Sequence, residues 1–386
     1  YTIMVLYILL IVISVILYLS KGADKPLTPK ALGGYMLVLA VFVGIADMLG
    51  GYDRYIYCQL FDDLANDLHK SGSILSSGIF RLYGKELGYI TLNAIIALFT
   101  SNRYIFILIF TLIVYALVFY SMLKYTNRSP MVVMLFMGLW FFFTFTYLRQ
   151  VMAASIAWCS IQYAINKKPF KFFSLTLLAF TVHNSAILFA IVYFIPIKKF
   201  SKQTIITWMV ICLAFGAIGI ASGFYDRYAE IVDAERIASI GNTQVTDLRL
   251  EYLLEAFVFL VLILKRYDEI NEKNKLQVMM CNLAFIFCAV LLIFSRSENG
   301  GRLSWFFLIG IFSVLSYFAS RKRIKTSAYN FTLVSMCVVL FVRIVISWGV
   351  LLSPYKTFFT PGFRDGDFIH HIYEYDKKYD EDKFYK

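Results

Sequence analysis

From Pro130 to Ile165 the chain reads PMVVMLFMGLWFFFTFTYLRQVMAASIAWCSIQYAI, and in that run Arg149 is the only charged side chain. A segment this long and this apolar has no place in water-soluble architecture. It predicts two membrane spans, Met131 to Leu148 and Val151 to Ile165, with a guanidinium stranded between them. At membrane depth such a group costs roughly 2.5 to 3.5 kcal/mol even on the lenient insertion scale, so it is retained where it meets a cavity, a partner or an anionic ligand.

Outward from this run the same pattern repeats. The chain has 386 residues, 60% of them hydrophobic, and a mean hydropathy of +0.68. Apolar stretches near the length needed to cross hydrocarbon occupy 2–19, 31–49, 104–123, 131–148, 151–165, 170–182, 185–197, 204–221, 252–264, 276–294, 303–319 and 327–352. The expected fold is therefore all-α, a polytopic integral membrane protein of about twelve spans. Gly88 to Thr100 is too short to cross, and is expected as a re-entrant or partly inserted helix. The stretch 2–19, followed by Lys21 and without a small-residue cleavage pattern, reads as a first membrane helix rather than a secretory signal. Residues 1–352 are expected as one helical domain, and 353–386 as a tail whose last ten residues are disordered.

Charge supplies the topology. Connections 21–30, 124–130, 166–171, 198–202, 265–275 and 321–325 hold 19 of the 37 Lys and Arg but only four of the 25 acids. By the positive-inside rule they are cytoplasmic, and both termini are then outside. The net charge of +12 is thus a topology signal and not a nucleic-acid footprint. Cys159, Cys212, Cys281, Cys288 and Cys337 fall inside spans and Cys58 in an outer segment, which supports neither a disulfide framework nor a metal site. No hydrophilic stretch is long enough for a soluble nucleotide-binding domain.

The outer segments 50–87, 223–251 and 295–302 and the tail collect the unusual polar chemistry. Asp53, beside Tyr52 and before Tyr57, reads either as a base or hydroxyl-binding group, or as a helix cap or partner of Arg54. Glu86, before Tyr89, reads as a functional carboxylate or as an acid answering a helix macrodipole. His183 lies at the tip of a hairpin with arms of only about 13 residues, too short to reach the far surface, so the imidazole is expected in a cavity. It is a natural general base near neutrality, and equally an ordinary core histidine. Arg296 and Arg302 flank the turn Ser295 to Arg302; with Arg149 they would make a diphosphate cradle, a task suited to forked guanidinium groups. Arg343, inside the last span, reads as a further buried cation that joins the cavity or pairs with an acid such as Asp47. Tyr225-Asp226-Arg227-Tyr228, with Glu230, Asp233, Glu235 and Arg236, reads as a solvated helix or as part of a carbohydrate groove, since sugar faces pack on aromatic rings.

Taken in order, Gly51-Tyr52-Asp53 with Tyr57, Glu86-Leu87-Gly88-Tyr89, Leu148-Arg149-Gln150-Val151-Met152-Ala153, His183-Asn184-Ser185-Ala186, Arg302 at a span entrance and Pro354-Tyr355 make the chain resemble the Wzy-like, EpsG-type bacterial polysaccharide polymerases over nearly its whole length. One departure is Gly50-Gly51-Tyr52-Asp53, where the family pattern has Gly and Asp around a variable residue. The resemblance implies a GT-C-like membrane glycosyltransferase architecture and the joining of oligosaccharide units carried on undecaprenyl diphosphate, as donor and acceptor, at the outer face of the bacterial cytoplasmic membrane. Arg149, Arg302 and Arg296 would neutralise the leaving diphosphate, and His183, Asp53 or Glu86 would serve as the acid–base group. Gln150, Tyr52, Tyr57 and Tyr89 would hold substrate, with Gln150 and Glu86 orienting sugars or the arginines. No cofactor or metal is required; membrane lipid, a chain-length regulator and a flippase are the partners implied. The rival activities are an O-antigen ligase, a lipid-oligosaccharide flippase or other transporter, and, more remotely, a membrane acyltransferase. The diphosphate reading needs Arg149 to face an outward-opening chamber; full enclosure by a protein carboxylate, or a position facing the inner compartment, would remove its footing.

Overall fold

The computed structural model describes residues 4–46, 52–70, 78–221, 223, 247–297, 300–321, 326–352 and 355–360. Among them the regular structure is helical throughout, apart from one isolated bridge between Ala46 and Thr357. Among the described residues four segments are long and apolar enough to cross a membrane: Arg103–Tyr125, Lys275–Ile293, Gly300–Ser320 and Ser327–Ser347. Seven shorter apolar helices accompany them. The chain folds into two compact units, one of residues 1–123, 128–152 and 319–386, the other of 124–127 and 153–318.

The first unit contains α1 (Met4–Lys21), α2 (Pro29–Gly44), α3 (Tyr52–Lys70), α4 (Gly78–Tyr83), α5 (Leu87–Ala97), most of α6 (Arg103–Tyr125), α7 (Pro130–Leu139), α8 (Phe143–Thr146) and the first turn of α9 (Leu148–Ile165). The short helix expected near Gly88 to Thr100 is α5. The span expected over Met131 to Leu148 is broken: α7 stops at Leu139 and α8 occupies a single turn. The run Trp140 to Tyr147 is almost wholly aromatic and threonine, residues that lose side-chain freedom in a helix. Thr144 Oγ1 bonds the Phe141 carbonyl, and Arg54 Nη1 reaches the Phe145 carbonyl at 3.4 Å. A broken helix is tolerated at membrane depth when protein groups satisfy the freed backbone in this way.

The carbonyl end of α2 is handled similarly. A helix leaves its last carbonyls without intrahelical donors. Here Arg54 Nη2 donates to Val43 (2.9 Å) and Ala46 (3.0 Å), the Tyr355 hydroxyl to Phe42 (2.7 Å) and the Phe358 amide to Ile45 (3.3 Å). Tyr355 also stacks on Phe42 with ring centroids 4.2 Å apart. These bonds bring the start of α3 and the segment after residue 352 to one point.

The second unit contains the remainder of α9, α10 (Pro169–Val182), a 3-10 helix (Asn184–Phe194), α11 (Lys202–Ile218), α12 (Leu250–Leu264), α13 (Lys275–Ile293), α14 (Gly300–Ser304) and most of α15 (Leu308–Ser320). Two further helices, α16 (Thr326–Ser347) and α17 (Gly349–Leu352), return to the first unit. In the second unit α13 is central, packed by α11, α12 and α14. Close backbone approach needs small residues: a Cβ on Gly216 of α11 would fall 1.9 Å from the Leu292 carbonyl oxygen, and one on Gly310 of α15 would fall 2.5 Å from the Ala284 nitrogen. Asn282, inside α13, donates to the carbonyls of Pro196 (3.0 Å) and Lys198 (3.2 Å), pinning the chain just after the 3-10 helix.

Gly216→Val tests this packing. Overpacking of this kind costs roughly 1–3 kcal/mol, so the variant is expected to unfold at a lower temperature than the parent in detergent, while Gly223→Ala, whose added methyl meets open space, is expected to be neutral. Equal melting of the Gly216 variant and the parent would contradict the contact.

Candidate functional site

Arg149 stands in the first turn of α9, where a cation opposes the helix macrodipole and therefore needs a counter-charge. Glu86 supplies it: Arg149 Nη1 forms an ion pair and hydrogen bond with Glu86 Oε2. Glu86 is the residue that precedes α5, but its side chain makes no capping bond there; it is turned to the arginine instead. The macrodipole reading of Glu86 is thereby replaced by a specific partnership between residues 63 positions apart.

Around the pair is an aromatic cage. The guanidinium carbon lies 4.0 Å from the ring centroid of Tyr83, 5.7 Å from Tyr57 and 5.9 Å from Tyr89. Tyr89 in turn meets Tyr57 and Tyr83 edge to face, at 6.0 and 5.8 Å. Cation–π attraction strengthens when the charge is desolvated, and here Arg149 is 3% exposed and Glu86 2%. Burial pushes the Tyr57 phenol well above its ordinary range; Arg149 opposes that rise and Asp53 adds to it. Asp53 sits half-buried one turn before Tyr57 on α3, so helical i,i+4 spacing brings it toward the cage. Gln150 is buried beside Arg149. Tyr52 opens α3, and its side chain lies outside the described residues.

The structure thus gathers Arg149, Glu86, Tyr57, Tyr89 and the neighbouring Asp53 within the first unit. Its cation is closed in by a carboxylate and rings, and does not face an open chamber.

His183, Arg296 and Arg302 belong to the second unit. His183 ends α10 and precedes the 3-10 helix, half-buried, with its amide on the Ala179 carbonyl at 3.0 Å. Arg296 follows α13 and Arg302 lies in α14, both half-buried. Arg302 and Arg249 both act on Tyr252, whose ring packs on the would-be Cβ positions of Gly300 and Gly301. Gly50, Gly51, Asp47, Pro354, Glu298, Asn299, the segment Tyr225 to Arg236 and the tail with Asp365, Asp367, His370 and His371 lie outside the described residues. Arg343 is corrected: it is exposed on α16, four residues from the helix end, and is not a buried cation. A long basic side chain so near a helix end reaches the interface by itself.

Three features escaped the sequence reading. Arg54, considered only as a partner of Asp53, is fully buried and spent on carbonyls. Tyr83 forms the closest face of the cage. Asp62 pairs with Arg103 at 2.9 Å, both almost wholly buried. The signal for Asp62 was present: Tyr55, Cys58, Asp62 and Ala65 share the buried 3,4,3 register of α3, while Gln59, Asp63 and Asn66 are exposed. Among the described residues no group of three or more His, Cys, Asp or Glu converges as a metal site.

Fold and site together define a polytopic helical membrane protein whose buried cationic centre is wrapped in tyrosines. The family model for the EpsG family matches residues 34–357, and the chain belongs to that family. Membership ties it to membrane polysaccharide biosynthesis and to polymerase activity of a glycosyltransferase kind. Neither the curated proteins nor the solved structures contain a match.

Glu86→Ala would strand Arg149 in a buried site, a loss of about 3–5 kcal/mol by comparison with other broken buried pairs. The double replacement Glu86→Gln with Arg149→Met is expected to recover most of it. Thermal unfolding of the parent, Glu86→Gln, Arg149→Met and the double variant in detergent measures the coupling, and additive effects would show that the two residues do not depend on one another.

Proposed function

We propose that this chain joins oligosaccharide repeat units carried on undecaprenyl diphosphate into a surface polysaccharide, at the outer face of the bacterial cytoplasmic membrane. Membership of the EpsG family carries the reading; the closing of Arg149 by Glu86 and the tyrosines counts against a standing diphosphate chamber there, so the reading requires that Glu86 be displaced.

In the transfer, the bond between the sugar's anomeric carbon and the diphosphate oxygen breaks, and its electron pair leaves with the lipid diphosphate. The acceptor hydroxyl oxygen forms the new bond and yields its proton to a base. Arg149 would stabilise the charge that grows on the leaving group. Because Glu86 now holds that cation, the diphosphate must take the carboxylate's place. The exchange substitutes one anion for another, so the guanidinium is never left bare. Glu86, once released, is a carboxylate beside the reacting sugars, able to accept a hydroxyl proton as Asp53 could. The tyrosines would then offer ring faces to the sugars and hydroxyls to their oxygens.

A second reading is favoured by the near-complete enclosure of the pair. On it, Arg149 and Glu86 brace α9 against α5, and the diphosphate is gripped by Arg296 and Arg302 alone.

The variants Arg149→Lys and the exchange Arg149→Glu with Glu86→Arg separate the two. With purified lipid-linked repeat units as both donor and acceptor, the parent chain is expected to build long glycans. Arg149→Lys keeps the charge but loses the fork, and should cut polymer formation by at least tenfold with abundance and melting unchanged. The exchanged pair should be stable and inactive. Long polymer from the exchanged pair would support the brace, and bilayer crossing of the lipid-linked unit without elongation would favour a transporter.

A further inference from the structure

We infer that a lateral groove in the second unit holds the isoprenoid tail of a polyprenyl phosphate, with its phosphate end at Ser185; this deepens the reading above, on which it rests for the identity of the lipid. The groove has a volume of about 630 Å³ and is walled by the 3-10 helix, α11 and the end of α13, with Leu188, Trp208, Phe215, Ala221 and Phe294 among its lining residues. Along α11 it starts at Trp208, roughly 15 Å before the helix ends at Ile218, and it continues past that end to Ile220 and Ala221. Its surfaces are hydrocarbon and aromatic except for the Ser185 hydroxyl, the Cys212 thiol and the Trp208 indole, so neither a sugar nor an ion finds partners along it. Trp208 and Phe215, which line the groove, are 59% and 52% exposed, so this face opens to the bilayer and not to a protein core.

One end of the groove is different. Ser185, Ala221 and Phe294 lie where α10, α11 and α13 finish, opposite the basic connections 166–171, 198–202 and 265–275 from which those helices start. Ser185 is 4% exposed and its hydroxyl has no hydrogen-bond partner within the protein. The hydroxyl of Ser295, next to Phe294, is likewise fully buried and without one; it lies 2.8 Å from where a Cβ on Gly216 would stand, beside Phe215. Buried polar atoms are nearly always satisfied, and one left over marks a place for a ligand or water. Arg296 comes next in the chain, so a cation follows the hydroxyls at this end.

An apolar channel with an unsatisfied hydroxyl at its end, a second one close by and an arginine next in the chain fits a lipid whose phosphate is attached to its first hydrocarbon unit. A polyprenyl phosphate has that form. A glycerophospholipid places two ester groups and a second tail between hydrocarbon and phosphate, and the groove provides for neither.

The test uses the full chain in nanodiscs of phosphatidylethanolamine and phosphatidylglycerol, with a C55 polyprenyl phosphate carrying a diazirine in its tail as probe. Photolabelled peptides are expected from 185–194 and 208–221. Unlabelled polyprenyl phosphate should suppress them, whereas a diazirine phosphatidylglycerol should not label them. Ala221→Trp or, if that chain melts early, Cys212→Phe fills the groove and should reduce labelling at least fivefold. Ser185→Ala should weaken labelling by the phosphate probe severalfold and leave a polyprenol probe unaffected. Labelling elsewhere, equal labelling by phosphatidylglycerol, or indifference to all three substitutions would overturn the assignment. Labelling requires no turnover, so a chain that is labelled in the groove but never elongates glycan keeps the groove and loses the polymerase reading. Long polymer from a groove-filled variant does the reverse.

Discussion

A guanidinium removed from water must keep something negative beside it, and the first unit is organised around three such groups. Arg149 is held by Glu86 and three tyrosine rings, Arg103 by Asp62, and Arg54 by the carbonyls of Val43, Ala46 and Phe145. Each partnership joins segments that are distant in sequence: α9 to α5, α6 to α3, and α3 to both α2 and the broken segment before α9. Because a lost partner leaves a stranded charge or carbonyl, these contacts are costly to break one at a time. They fix which helices are neighbours more firmly than apolar packing does in a solvent as apolar as the side chains.

The same constraint shapes what the site does under the proposed reaction. A cation that has already been desolvated and walled by aromatic rings does not need to shed water when an anionic leaving group arrives. It needs only to change partners. Preorganisation of this kind is where electrostatic catalysis gains its advantage over the same charges in solution. The carboxylate that keeps the resting site neutral is also the group displaced toward the reacting sugars, so one residue serves both states.

Hydropathy revealed the spans that are long and uninterrupted, such as α6, α13 and α16, because composition alone defines them. It did not reveal the break between Leu139 and Leu148, since the aromatic and threonine run Trp140 to Tyr147 still reads as apolar and the donor to the Phe145 carbonyl, Arg54, comes from 91 residues away. The Arg149 centre was legible as an anomaly, and Glu86 and the tyrosines as candidates; their union was not, because sequence spacing carries no information on contacts between α5 and α9. Asp62 was readable from helical register and was passed over. Arg343 misled for a different reason: an arginine inside an apolar run signals burial only when it is far from a helix end.

Helix length finally explains why a groove exists where it does. α10, with 14 residues, rises roughly 21 Å as an α-helix. The returning arm has only 11 residues, but in 3-10 geometry they rise about 22 Å, so the two arms match. Their neighbours are longer, with 17 residues in α11 and 19 in α13, some 26 and 29 Å. A hairpin several ångströms shorter than the helices it packs among cannot fill the space at its own tip. That unfilled space is the tip end of the groove, bordered by Ser185, by Phe215 on α11, and by Ala221 and Phe294 just past the ends of α11 and α13. The cavity is therefore a consequence of a mismatch written into segment lengths, and the hydroxyls and arginine at its end decide which lipid suits it.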